Sequence, residues 1–150
     1  MSRIAVLGAG SCFAQNLSYW LTFGANDVFA ISRSPLRSEP FTYGLPWKPY
    51  RRGWSHSALG GPPYYEALHL GTDLPLIMEY LDDFQPDVIV NFAALCEVGL
   101  SWDHALDYYE TNLMSLVRLT NELAKRSWFK KFVQIGSSEV YGSVDNAATE

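Results

Sequence analysis

The chain has 150 residues, 48% hydrophobic and 18% charged, the balance of a globular sequence with enough length for one domain and a core of its own. Its formal net charge of -5 gives no electrostatic ground for expecting nucleic acid or an anionic membrane as partner. Cys12 and Cys96 form no Cys-x-x-Cys pattern, nothing after Met1 resembles a secretory leader, and no apolar run is long enough to cross a bilayer; the expectation is a soluble cytoplasmic protein.

Ile4 to Leu7 is a short apolar run ending at Gly8, which reads as a first strand. Residues from about Cys12 to Phe23 follow as a helix, with Gly24 as its stop. Val28 to Ile31 reads as a second strand, ending at Ser32-Arg33. The stretch from Ser34 to Glu66 holds six of the eight prolines with Gly44, Gly53, Gly60 and Gly61, so it is expected as an irregular insertion over about 34–66. Its aromatic residues Trp47, Tyr50, Trp54, Tyr64 and Tyr65 are expected to pack the loop onto the sheet edge. A base-stacking surface would want cations interleaved with them, and only Lys48, Arg51 and Arg52 qualify.

Ala67 to Leu70 is read as a third strand. A helix then starts near Asp73, with Pro75 in its first turn and Leu74, Ile77, Met78, Leu81 and Phe84 on one face. Asp87 to Asn91 is a strand buried on both faces, a long helix runs from about Asp103 to Arg126, and Phe132 to Ile135 is the fifth strand. Strands alternating with helices predict an α/β chain, the first part of a Rossmann-type doubly wound parallel sheet occupying 1–150. No metal site is expected.

Between the first strand and helix lies Gly8-Ala9-Gly10-Ser11-Cys12-Phe13-Ala14, where backbone N–H groups at a helix start can meet a pyrophosphate. The Gly-x-Gly-x-x-Gly spacing fails at Phe13. The Gly-x-x-Gly-x-x-Gly spacing fits as Gly8, Ser11 and Ala14, with small residues replacing two glycines. An acidic residue at the end of the second strand would suit the ribose of NAD. Ser32 and Arg33 stand there instead, and a hydroxyl with a guanidinium leans the NAD(P) reading towards the 2′-phosphate of NADP.

Four segments in order, VLGAGSCFA, PDVIVNFAA (Pro86 to Ala94), SWDHALDYYETN (Ser101 to Asn112) and GSSEVYG (Gly136 to Gly142), together resemble the extended short-chain dehydrogenase/reductase family, in particular its nucleotide-sugar 4,6-dehydratase and epimerase branch. The resemblance implies a nucleotide-sugar substrate and transient oxidation at the sugar C4. It places Ala93 and Ala94 beside the nicotinamide ribose and Asn112 at the family's helix asparagine. His69-Leu70 stands where the family commonly has an Asp-Leu pair reaching the adenine, and Cys96-Glu97 where dehydratases often have Ser-His. Ser137 takes the position of the hydroxyl that binds the C4 oxygen, and Glu139 that of the carboxylate that removes the C5 proton. Ser138 lies between them, at a position where one dehydratase group keeps an acid. This hydroxyl–hydroxyl–Glu pattern is most similar to that of GDP-mannose dehydratases and UDP-glucuronate decarboxylases.

The family completes its site with Tyr-x-x-x-Lys, and none of the 150 residues forms that pair. The expectation is therefore the cofactor-binding portion of such an enzyme, inactive by itself, with a homo-oligomer or a missing C-terminal portion or partner chain as its expected partners. A non-catalytic dinucleotide-binding module and an α/β binding subunit without cofactor are the alternatives.

Overall fold

The structure, a computed structural model, describes residues 2–24, 26–35, 48–49 and 64–142. Six strands form one sheet: β1 (Arg3–Leu7), β2 (Asp27–Ser32), the two-residue β3 (Lys48–Pro49), β4 (Tyr64–Ala67), β5 (Val88–Asn91) and β6 (Lys131–Gln134). Their spatial order is β3-β4-β2-β1-β5-β6, and every pair is parallel. The chain thus builds outwards from β1 through β2 to β4, then crosses back to lay β5 and β6 on the other side of β1. That reversal makes the doubly wound Rossmann sheet and leaves a crevice where the β1 and β5 ends diverge.

Alternation along β1 explains both cores. Ala5 and Leu7 face one side, with Phe29 and Ile31 of β2 and Ile77, Leu81 and Phe84 of helix α2 (Leu74–Phe84). Ile4 and Val6 face the other, with Val28, Ala30, and Ala14 of helix α1 (Cys12–Phe23). β5 contributes Ile89 to the first core and Val90 to the second, so it is covered on both faces as expected. The α2 stripe reads as predicted, because a 3.6-residue period can bury only one face.

Two expectations are corrected. The third strand falls at Tyr64–Ala67 rather than 67–70, and residues 68–70 turn away at its end. The insertion at 34–66 therefore includes β3 and most of β4, and buried Tyr65 is a sheet residue. Trp47, Tyr50, Trp54, Arg51 and Arg52 lie outside the described residues. The long helix is also interrupted. After a separate short α3 (Val98–Asp103) that was not expected, it runs as α4 (Ala105–Tyr109), a π-helical turn (Glu110–Met114) and α5 (Ser115–Leu123). Buried Ser115 accounts for the π turn: its Oγ donates to the Glu110 carbonyl five residues back, at 2.7 Å. Among the described residues, no helix is long and apolar enough to cross a membrane.

Candidate functional site

The residues of the glycine turn after β1 take their places for separable reasons. Gly8 has φ +72°, and a Cβ there would lie 2.4 Å from the Ala93 nitrogen and 2.6 Å from the Phe92 carbonyl carbon. Backbone meets backbone at this point, so only glycine fits. Gly10 is less constrained: its Cβ would meet the Ser32 Oγ at 2.8 Å, a side chain that can turn. Ser11 replaces a motif glycine without strain, because its backbone is extended and its Oγ caps α1 by accepting from the Ala14 N–H at 3.2 Å. Ala14 is fully buried against the sheet, where a methyl still fits.

The carboxyl ends of the central strands are stitched together just below this loop. The Ala9 N–H donates to the Ile31 carbonyl at 3.1 Å, and the Phe92 N–H to the Leu7 carbonyl at 2.8 Å. Above them lies a cavity of about 280 Å³. Gly8, Gly10 and Ser11 form its floor, Ser32 and Arg33 one wall with His69 and Leu70, and Ala93, Ala94 and Thr111 the opposite wall. Ser32 is buried beside Gly10, whereas Arg33 is exposed. No carboxylate belongs to the lining among the described residues. Tyr65 closes the β4 side by donating its hydroxyl to the Ser34 carbonyl at 2.5 Å. Burial pushes the Tyr65 phenol above its ordinary pKa, opposed in part by a hydrogen bond with the Ser32 side chain.

Not every candidate residue lines the cavity. Cys12 and Phe13 are exposed on the outer side of α1, with Phe13 79% accessible, because the first helical turn points them away from the sheet. Asn112 lies outside the lining too, but it clamps the opposite wall. Its Oδ1 accepts from the Leu95 N–H and its Nδ2 donates to the Leu95 carbonyl, both at 2.8 Å. The π turn that carries Asn112 also puts Thr111 on the cavity. Sequence reasoning missed Thr111, Tyr65, and Gln15. Gln15 donates its Nε2 to the Gly10 carbonyl at 3.2 Å and leaves a buried Oε1 with no partner among the described residues.

The GSSEVYG segment follows β6, one strand further from β1, and does not line the cavity. Ser137 caps a short 3₁₀ turn (Ser138–Tyr141): its Oγ accepts from the Glu139 N–H at 3.2 Å, leaving the hydroxyl proton without an acceptor among the described residues. Glu139 is exposed. Ser138 is the first residue of that turn. Among the described residues, no group of three or more His, Cys, Asp or Glu could hold a metal ion.

A model of the family described as GDP-mannose 4,6 dehydratase matches residues 70–150, just over half of the chain. The chain belongs to the GDP-mannose 4,6 dehydratase family. Solved structures share its fold. One is a UDP-glucose 4-epimerase from Stenotrophomonas maltophila with bound NAD and formylated UDP-arabinopyranose (17% identity, TM-score 0.75, covering 99% of this chain and 41% of that one). Another is the UDP-glucose 4-epimerase from Bifidobacterium longum in complex with NAD+ and UDP (20% identity, TM-score 0.71, covering 97% of this chain and 40% of that one). A third is the UDP-N-acetylglucosamine 4-epimerase from Methanobrevibacter ruminantium in complex with UDP-N-acetylmuramic acid (20% identity, TM-score 0.66, covering 99% and 42%). The chain thus spans about two-fifths of the length of these three. No curated protein matches it. This member of the dehydratase family therefore shares with them the fold, a doubly wound parallel sheet.

Proposed function

We propose that the chain is the cofactor-binding portion of a nucleotide-sugar-modifying enzyme of the 4,6-dehydratase/epimerase type, using NAD(P) with a preference for NADP. The cavity at the switch point carries this reading. Its floor is Gly8, where any side chain would strike the opposite wall, it offers the guanidinium of Arg33, and no carboxylate among the described lining residues would repel a polyanion. Gly8, Gly10 and Ser11 would hold the pyrophosphate, Ser32 and Arg33 the phosphorylated ribose, and Ala93 and Ala94 the nicotinamide ribose. The bound cofactor supplies a hydride acceptor for the sugar C4.

The chain's own residues handle orientation and protons. Ser137, its oxygen held by the Glu139 N–H, keeps a hydroxyl proton to donate to the C4 oxygen as charge builds there. Glu139 takes the C5 proton, and Ser138 stands where an acid assists elimination. The C4-hydroxyl proton needs an acceptor from outside these 150 residues, which contain no Tyr-x-x-x-Lys. An apolar stripe of Leu106, Tyr109, Leu113 and Val117, exposed along α4 to α5, gives a further protein portion or a second copy a surface to cover. A non-catalytic dinucleotide-binding module is the second reading, favoured by the exposed Glu139.

Fluorescence titration with reduced cofactors tests the binding claim. NADPH is expected to bind about tenfold more tightly than NADH, with Arg33→Ala erasing the difference. Equal affinities untouched by Arg33→Ala would remove the NADP preference, and no binding of either would remove the dinucleotide reading. Turnover of nucleotide sugars by the full-length protein, lost in Glu139→Gln, separates the enzyme from the module.

A further inference from the structure

The polarity of the base slot departs from what an acidic recognition residue would give. With the pyrophosphate over Gly8 to Ser11 and a ribose at the end of β2, the base of that nucleoside lies over the next strand outwards, at the carboxyl end of β4. There the Leu68 N–H donates to the Ser32 carbonyl at 2.8 Å, and the chain turns at His69 and Gly71. Ile31, Pro35, Leu68 and Leu70 supply apolar surface for a flat ring, and His69 is the side chain among them with hydrogen-bonding atoms.

The His69 ring is fixed from its own turn. Its Nδ1 accepts from the Gly71 N–H at 3.1 Å, its backbone N–H donates to Asp73 Oδ2 at 2.7 Å, and its carbonyl accepts from the Asp73 N–H at 2.8 Å. Gly71 permits this approach, because a Cβ there would press to 3.2 Å from His69 Cε1. An Nδ1 that accepts leaves the proton on Nε2, so the polar atom remaining to the ring is a donor. The nearby Asp73 carboxylate is occupied by the His69 N–H and the Thr72 hydroxyl.

We propose, resting on the dinucleotide reading above, that His69 makes this slot recognise a purine by its hydrogen-bond acceptors and not by the exocyclic amine. A carboxylate here would accept from the adenine amine and repel the carbonyl of hypoxanthine. The His69 Nε2–H finds an acceptor on either base, since N3 and N7 accept in both and hypoxanthine adds a carbonyl oxygen beside its N1–H. The site therefore takes hypoxanthine dinucleotides alongside adenine ones, and His69 is its specificity-determining residue.

The test titrates the full-length protein with NADH and with reduced nicotinamide hypoxanthine dinucleotide, and repeats both with their 2′-phosphates. The two bases are expected to bind within about threefold of each other, because neither loses a hydrogen bond. His69→Asp is expected to shift the ratio to about tenfold or more in favour of adenine, since the wrong base then meets a repelling oxygen. His69→Asn keeps an acceptor for the Gly71 N–H and removes the ring donor; it should weaken both ligands by about three- to tenfold and leave their ratio unchanged. That variant separates base reading from damage to the turn. A tenfold preference for adenine in the unaltered protein, or an unchanged ratio in a folded His69→Asp, overturns the proposal while leaving the cofactor reading standing. Binding of neither base removes both.

Discussion

Gly8 and Gly10 look alike in the sequence, two residues apart in one loop, yet the structure assigns them unequal weight. At Gly8 the added Cβ would meet the backbone of Phe92 and Ala93, and the positive φ adds strain; at Gly10 it would meet a movable serine hydroxyl. Gly8→Ala is expected to cost about 2–3 kcal/mol in stability and abolish dinucleotide binding, because β1 and β5 must separate to admit it. Gly10→Ala should cost under about 1 kcal/mol, since Ser32 can change rotamer. Chemical denaturation with parallel cofactor titration distinguishes the two, and equal effects would contradict the geometry. The same residue-level view explains why Ser11 and Ala14 can replace motif glycines: one has an extended backbone and a capping hydroxyl, and the other faces a space large enough for a methyl. The motif spacing was legible in the sequence. The unequal tolerance of its positions was not, because it depends on residues 92 and 93, more than eighty positions away.

Among the elements, the broken helix after β5 matters most for the site. Its helical character was readable from 103 onwards, but the π turn at Glu110–Met114 was not, because one extra residue in a turn leaves the apolar pattern nearly unchanged. What holds the turn is the Ser115 hydroxyl on the Glu110 carbonyl, and what it delivers is Asn112 to both backbone groups of Leu95 and Thr111 to the cavity. Asn112→Ala is expected to leave secondary structure intact and weaken dinucleotide binding about three- to tenfold, through loss of two hydrogen bonds that fix the 92–95 wall. Circular dichroism and cofactor titration together check this, and unchanged affinity would show that the wall holds without the clamp. Secondary-structure boundaries elsewhere shifted where turn chemistry overrode propensity. β4 ends at Ala67 because His69, Gly71 and Asp73 form a hydrogen-bonded turn, although residues 67–70 carry strand-forming character by themselves.

The molecule as a whole is tied at the end of the sheet opposite the cavity. Asp87 accepts from the Arg3 N–H at 2.9 Å and from Lys130 at 2.5 Å, joining the starts of β1, β5 and β6. The Lys130 hydrogen bond first, then the Arg3 N–H, holds the Asp87 carboxyl below its ordinary pKa. A folded-state pKa below the unfolded one means that the unfolded chain binds the proton more readily. The stabilisation is therefore complete above the ordinary aspartate value and is lost as pH falls through the lowered one. Asp87→Asn should lower stability at neutral pH by about 1 kcal/mol, with the difference from the unaltered protein shrinking in acid. It should leave cofactor affinity unchanged, because the strand starts lie away from the crevice. Denaturation at neutral and acidic pH checks both claims; a pH-independent difference would remove the carboxylate from the account.

By itself the sequence determined the alternation of strands and helices, the parallel doubly wound sheet, the glycine turn after β1 and the family. Those properties rest on hydrophobic period and on short runs whose chemistry is local, so they survive without coordinates. Only the tertiary structure decided which residues share a cavity. Gly8, Arg33, His69 and Ala93 meet because the chain reverses its strand order at β1, whereas Cys12 and Phe13, adjacent to the loop in sequence, turn outwards with the first turn of α1. It also decided the polarity of His69, since the proton on its ring is assigned by a backbone N–H two residues away, a contact that exists only once the turn is folded.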